Sequence, residues 1–244
     1  MRLDVYLFDK ALAASRTDAK RLIAEGLVNV NGTVVLKAAL DVSESDEVTV
    51  SASENRFVSR GGLKLKGALE KFKVSVSGKG ALDVGASSGG FTDCLLQNGA
   101  KHVIAVDSGS GQMAKSLRED SRVTVIENFN ARYMTTDDFD YAPEVIVMDV
   151  SFISATCIIP AIYDVSADNA DFICLVKPQF EVGRAGVGKG GIVKDDKLRR
   201  GALQKVIDFA TEHGFEYIDS CVSPIKGGDG NVEFLVHFTV KKGV

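Results

Sequence analysis

From Gly80 onward, short and nearly continuous apolar runs alternate with stretches of helical periodicity, and few folds accommodate that pattern. The candidate strands are Ala81–Val84, Val103–Val106, Val123–Ile126, Val145–Met148, Phe172–Val176, Tyr217–Val222 and Val232–Phe238. Helical patterns fall between several of them, at Phe91–Gln97, Ser154–Tyr163 and Leu198–Glu212. Strands that lack polar alternation are buried on both faces, as in parallel sheets covered by helices. Residues 60–244 therefore read as a doubly wound α/β domain.

Composition narrows the function classes. With 45% hydrophobic and 25% charged residues, the chain is ordinary globular protein. Its net charge of −4 provides no global positive field, so any affinity for nucleic acid must come from a local patch. The longest apolar stretches, such as Cys157–Ile162, fall far short of the ~20 residues that span a bilayer. The amphipathic start lacks a secretory signal, and a cytoplasmic protein is expected. Four widely spaced cysteines (Cys94, Cys157, Cys174, Cys221) read as small buried thiols, and three scattered histidines predict no metal site.

Residues 2–50 follow a different pattern. Leu3, Tyr6, Leu7 and Leu12 suggest one helix; Ser15 caps a second through Ile23, with Gly26 following it. Asn31-Gly32, between Leu27–Val30 and Thr33–Val35, signals a hairpin, and Glu47–Val50 adds a strand. Arg16, Lys20 and Arg21 lie on or near one side of the second helix, although the module carries six basic and eight acidic residues. On charge alone, a solvated helix face is as good a reading as an RNA contact. Residues 51–79 begin with a polar stretch, Ser51–Asn55, and are the most basic part of the chain, with seven Lys/Arg against two Glu.

The run Leu82-Asp83-Val84-Gly85-Ala86-Ser87-Ser88-Gly89-Gly90-Phe91-Thr92 is a strand, a turn of small residues and a helix start. Glycines there let a cofactor approach the backbone. The spacing is neither the dinucleotide GxGxxG nor a phosphate-binding P-loop. The next strand ends at Asp107, 24 residues beyond Asp83, where a carboxylate suits the hydroxyls of an unphosphorylated ribose. Turns of this kind also serve nicotinamide and flavin enzymes.

Four further residues stand out. Asp149 and Lys177 each follow an apolar strand, where α/β sheets bind ligands, although a turn aspartate is the plainer reading of the first. Glu233 interrupts an apolar strand and needs a partner. Lys64, in Arg60-Gly61-Gly62-Leu63-Lys64, passes alone for an ordinary helix lysine. The segment Glu181–Lys194 holds five glycines and three basic residues and reads as a long loop that closes over RNA beside Lys177, or as a mobile surface loop.

These blocks carry a resemblance. The N-terminal pattern Arg2-Leu3-Asp4…Ser15-Arg16…Ala19…Leu22-Ile23…Gly26…Asn31-Gly32 resembles the S-four-type RNA-binding domain. The glycine-rich turn with Asp107 resembles the S-adenosyl-L-methionine site of class I methyltransferases. The set Lys64, Asp149, Lys177 and Glu233 resembles the tetrad of FtsJ-like RNA ribose 2′-O-methyltransferases. As a whole, the chain resembles the hemolysin A (TlyA) family of ribosomal RNA methyltransferases, which modify cytidine.

The resemblance implies a Rossmann-like α/β methyltransferase domain at 61–244, a small α+β RNA-binding domain at 1–52 and a linker at 53–60. It implies that Lys64, Asp149, Lys177 and Glu233 are catalytic. Lys177 would meet the 2′-oxygen, Asp149 would hold Lys177, and the other two would complete a network of alternating charge. It places Asp83 and Gly85 at the amino-acid part of S-adenosyl-L-methionine, Gly89, Gly90 and Phe91 along the floor, Asp107 at the ribose and Asn130 by the adenine, with Ser87 a further cofactor contact. It implies phosphate contacts for Arg2, Arg16, Lys20, Arg21, Arg60, Arg184 and Lys189, with ribosomal RNA in assembled subunits as partner and no membrane or metal. The other classes to weigh are a membrane-active cytolysin, suggested by the family's name, and an RNA-binding protein whose methyltransferase-like domain is inactive.

Overall fold

A computed structural model describes residues 1–13, 15–24, 26–50, 57–227 and 229–242. It divides into two compact units, Met1–Arg56 and Phe57–Val244. Of the expected linker, residues 53–56 lie outside the described residues, as does the polar stretch Ser51–Asn55.

In the first unit, α1 (Leu3–Asp9) and α2 (Arg16–Ala24) pack on a sheet of β1 (Val28–Val30), β2 (Thr33–Val34) and β3 (Val48–Val50), with β1 central. Leu3, Leu7, Ala19, Leu22, Ile23 and Val28 fill its core. The first helix is shorter than its apolar spacing suggests. Ala11 takes a left-handed φ of 55°, and the Leu12 and Ala13 amides fold back to donate to the Leu7 carbonyl. Ser15 Oγ accepts from the Asp18 amide at 3.1 Å, capping α2. Asn31 and Gly32 have φ of 52° and 77°, the paired positive values that a tight two-residue hairpin requires.

In the second unit, a seven-stranded sheet has the order β6-β5-β4-β7-β8-β10-β9. The strands are β4 (Gly80–Val84), β5 (His102–Val106), β6 (Val123–Ile126), β7 (Val145–Met148), β8 (Asp171–Val176), β9 (Phe215–Val222) and β10 (Phe234–Val240). β4 through β8 run parallel, whereas β10 is antiparallel to both of its neighbours. Alternate residues bury opposite faces. Leu82, Ile146 and Phe172 meet α6 (Ile159–Val165) and α8 (Asp196–Glu212); Ala81, Val147 and Leu175 meet α3 (Gly61–Phe72) and α4 (Gly90–Gln97). Short helices α5 (Lys115–Arg118) and α7 (Pro178–Glu181) complete the unit.

The structure corrects several expectations. The helix at 154–163 is a 3-10 turn, Ala155–Cys157, followed by α6, which Pro160 starts because its missing N–H is not needed there. The last strand begins two residues late, at Phe234, and leaves Glu233 at its entrance. Cys94 and Cys174 are buried, and burial pushes the Cys94 thiol up to about 12, but Cys157 is exposed and Cys221 only half-buried. Glu181–Lys194 is not a structureless loop. It holds the end of α7 and a 3-10 turn, and buried Asn231 clamps it by accepting from Val193 N (3.0 Å) and donating to Gly191 O (2.9 Å). No described helix is long and apolar enough to cross a membrane, and no metal-binding group occurs among the described residues.

At the start of β8, Asp171 accepts from His237 Nε2 (2.9 Å) and Lys79 Nζ (3.0 Å), with Phe72 stacked on the histidine. Burial alone would raise this carboxyl, but its two donors hold it below the usual range. A depressed carboxylate contributes stability above its unfolded pKa and loses it as pH falls through the folded value. Asp171→Asn is therefore expected to unfold at lower urea than wild type at neutral pH, with the gap closing below about pH 4. Urea melts across acid pH measure this; a gap independent of pH would contradict it.

Candidate active site

The sheet order reverses direction between β4 and β7, and the crevice outside the carboxyl ends of such strands is where open α/β sheets take ligands. A cavity of about 390 Å³ lies there. Gly85 opens it with φ of +86°; a Cβ at this position would stand 2.5 Å from the Asp149 carbonyl oxygen, so only glycine lets the ends of β4 and β7 approach.

Asp107 forms one wall. Its Oδ2 accepts from the Ser87 amide (2.8 Å) and its Oδ1 from the Gly109 amide (2.7 Å). Each oxygen keeps a lone pair, so the carboxylate is fixed and still able to accept from neighbouring hydroxyls. Asn130 lines the cavity and caps the next 3-10 turn, its Oδ1 accepting from Arg132 N. Phe129, Val150, Ile153 and Ile158 supply apolar walls. A fixed diol acceptor beside an apolar slot suits a nucleoside with free ribose hydroxyls.

Other residues of the glycine-rich run stand behind this cavity. Among the described residues, its lining includes Gly85 and Ser87 but not Asp83, Gly89, Gly90 or Phe91. A Cβ on Gly89 would meet Leu117 and Met113, one on Gly90 would meet Ser59, and Phe91 is buried in the core. These residues let α4 pack close to its neighbours. Asp83 is fully buried on the α4 side, where Thr92 Oγ1 donates to its Oδ2 at 2.6 Å and Oδ1 has no partner among the described residues. Burial, with smaller contributions from Asp149 and Asp107, pushes its carboxyl up to about 7.

The structure assembles Lys64, Asp149, Lys177 and Glu233 into two ion pairs at the carboxyl edge of the sheet. Lys177 Nζ lies 2.6 Å from Asp149 Oδ1 and donates to Ser151 Oγ at 2.7 Å. Lys64 Nζ donates to Glu233 Oε2 at 2.6 Å, with the two side chains 11% and 2% exposed. Phe234 pairs with Val176, and Met148 with Cys174, so Glu233, Lys177 and Asp149 leave adjacent strands at one edge. Asp149 and Ser151 also line the cavity, which places the Lys177 amine at its rim.

The apolar walls, Ser151 and Gln112, which lines the cavity and accepts from Ser87 Oγ at 3.1 Å, do not stand out in the sequence. Ser151 had a usable signal, since it follows Asp149 by two residues on the same strand exit. Of the basic residues, Arg2 and Arg16 both pair with Asp4, Arg21 pairs with Asp18, and Lys20 is exposed on α2. In the second unit, Arg60 precedes α3, Arg184 opens a 3-10 turn and Lys189 lies in the turn that Asn231 clamps; all three are exposed.

Comparison with known proteins agrees with this geometry. The profile described as FtsJ-like methyltransferase matches residues 57–240, and the S4 domain matches residues 1–48. Hemolysin A of Brachyspira hyodysenteriae is 45% identical over 98% of this chain and 100% of its own length. The 16S/23S rRNA (cytidine-2'-O)-methyltransferase TlyA of Mycobacterium tuberculosis is 44% identical over 96% of this chain and 88% of its own. A solved structure from Streptococcus thermophilus, described as a candidate hemolysin, superposes with a TM-score of 0.78 at 41% identity, covering 100% of this chain and 89% of that one.

Asp83 yields a prediction of opposite sign to Asp171. Its folded carboxyl keeps a proton up to about pH 7, whereas the unfolded one loses it near the ordinary value of 3.8. Stability contributed there is full below the unfolded pKa and declines as pH rises through the folded one. Asp83→Asn lacks this loss, so its urea midpoint should gain on wild type between about pH 5 and pH 8. A difference that does not change over that interval would contradict the assignment.

Proposed function

The chain belongs to the FtsJ-like methyltransferase family, and from that membership we propose that it methylates the ribose 2′-oxygen of a cytidine in bacterial ribosomal RNA, using S-adenosyl-L-methionine. The observation that carries this reading is the Lys177 amine, held by Asp149 and Ser151 at the rim of a cavity whose far wall is the fixed Asp107 carboxylate.

S-adenosyl-L-methionine, when bound, supplies a methyl group on a positively charged sulfur, already a good leaving group. The protein must align that methyl with a weak nucleophile and manage one proton. Asp107 would hold the cofactor's ribose hydroxyls, Phe129 and Ile158 would lie beside its base, and Gly85 would leave room at the other end. Lys177 meets the 2′-oxygen and, as an ammonium paired with Asp149, stabilises the negative charge that develops there as the hydroxyl proton passes to water. Asp149 and Ser151 fix the amine, so little reorganisation is needed during reaction. Lys64 and Glu233 neutralise one another and hold α3 against the entrance of β10. Alignment alone can contribute about 7–11 kcal/mol, which makes positioning the larger share of the work.

The partner in this reading is ribosomal RNA within assembled subunits, which puts the protein in the cytoplasm. The S4 domain brings RNA phosphates to Arg2, Arg16, Lys20 and Arg21, while Arg60, Arg184 and Lys189 meet phosphates on the methyltransferase unit. Such contacts supply affinity and register rather than sequence choice.

Two variants separate the roles. Lys177→Ala should bind S-adenosyl-L-methionine as wild type does, yet transfer tritiated methyl to ribosomal subunits about 10²–10³-fold more slowly. Asp107→Ala should weaken cofactor binding by about tenfold or more in calorimetry, because it removes hydrogen bonds to a charged acceptor. Undiminished turnover by Lys177→Ala would remove that residue from the mechanism, and unchanged affinity in Asp107→Ala would remove the ribose contact.

A further inference from the structure

Asp4 has the least usual setting in the first unit. Its side chain is wholly buried in the first turn of α1, yet it holds two arginines that are themselves about half exposed, at 48% and 55%. Arg2 grips it from both sides, with Nε on Oδ1 at 2.9 Å and Nη2 on Oδ2 at 3.2 Å. Arg16, the first residue of α2, donates from Nη2 to the same Oδ2 at 3.4 Å. The Arg2 hydrogen bonds are the foremost cause that keeps the Asp4 carboxyl below its ordinary range.

The backbone beneath this cluster is fixed as well. Leu3 N and Asp4 N donate to the carbonyls of Leu40 and Ala38, and Arg2 bridges to Asp41. Two guanidiniums drawn to one carboxylate would repel each other in its absence. With it, the trio keeps a net charge of +1, and Arg2 Nη1 and Arg16 Nε and Nη1 are left without partners among the described residues. Guanidinium forks of known direction suit phosphate oxygens, and fixing them beforehand removes side-chain entropy from the cost of binding.

We propose that Asp4 is a positioning residue that joins Arg2 and Arg16 into one preformed clamp for RNA backbone phosphate. The proposal rests on the RNA reading of the first unit and deepens it. It makes Arg2 and Arg16 one joint phosphate contact of that unit, beside Arg21, which Asp18 holds separately, and Lys20.

Its sign sets it apart from simple electrostatics. Asp4→Asn removes a negative charge, so long-range attraction alone predicts tighter RNA binding, whereas loss of the clamp predicts weaker binding. The test uses the full-length chain and a fluorescent hairpin transcribed from bacterial ribosomal RNA, titrated at several salt concentrations. Asp4→Asn should bind about fivefold more weakly or worse, Arg2→Ala/Arg16→Ala should lose at least as much, and Asp4→Asn should add little to that double variant. Tighter or unchanged binding by Asp4→Asn, with the arginine variant weakened, overturns the positioning role alone. Unchanged binding by the arginine variant, or no binding by wild type, overturns the RNA reading of this cluster and the clamp with it.

If Asp4→Asn does not fold, NMR of the free wild-type protein decides the question. A slowly exchanging Arg2 Nε–H at neutral pH is the expected signature, and exchange as fast as that of solvent-exposed arginines overturns the clamp.

Discussion

Lys64 and Glu233 are 169 residues apart in the chain, and neither charge tolerates burial without the other. Their ion pair joins α3 to the entrance of β10, and β10 is the antiparallel strand that sets the register of Glu233 beside Lys177. Removing either partner would leave a buried unpaired charge, at a cost of about 3–5 kcal/mol. Replacing both by apolar groups would lose the electrostatic character of the edge. The pair is therefore best understood as a constraint on geometry, since a buried ion pair contributes little net stability.

The same edge explains why three carboxylates close in space have separate duties. Asp83 lies under the turn, shut away from water, and its elevated carboxyl costs stability as pH rises. Asp107 has both oxygens fixed by backbone amides and faces the cavity. Asp149 lies at the rim against Lys177. Desolvation, backbone donation and ion pairing each give one aspartate a distinct character, although Asp107 and Asp149 directly follow apolar strands and Asp83 is the penultimate residue of another.

Local features were legible in the sequence; distant pairings were not. Asn31-Gly32 specifies its hairpin because the turn itself demands positive φ, and the run from Asp83 to Phe91 shows a strand, turn and helix by residue size alone. The resemblance named the four charged residues, but no spacing reveals that they segregate as Lys64–Glu233 and Lys177–Asp149. Asp4 reads as an ordinary helix aspartate until Arg16 is seen to reach back to it. Asn231 gives no hint that it clamps backbone 38 residues away, which is why a glycine-rich segment looked structureless. Glycine marks close approach without saying whether a ligand or a neighbouring helix approaches, so Gly89 and Gly90 point in the sequence equally to a cofactor and to the packing of α4.

The central claim concerns which atom receives the methyl group. Incubating the full-length protein with methyl-labelled S-adenosyl-L-methionine and bacterial ribosomal subunits, followed by digestion of the RNA and mass spectrometry of its nucleosides, tests it most directly. The account predicts label in 2′-O-methylcytidine. Label confined to a methylated base, or to the ribose of another nucleoside, would contradict it, as would unlabelled RNA.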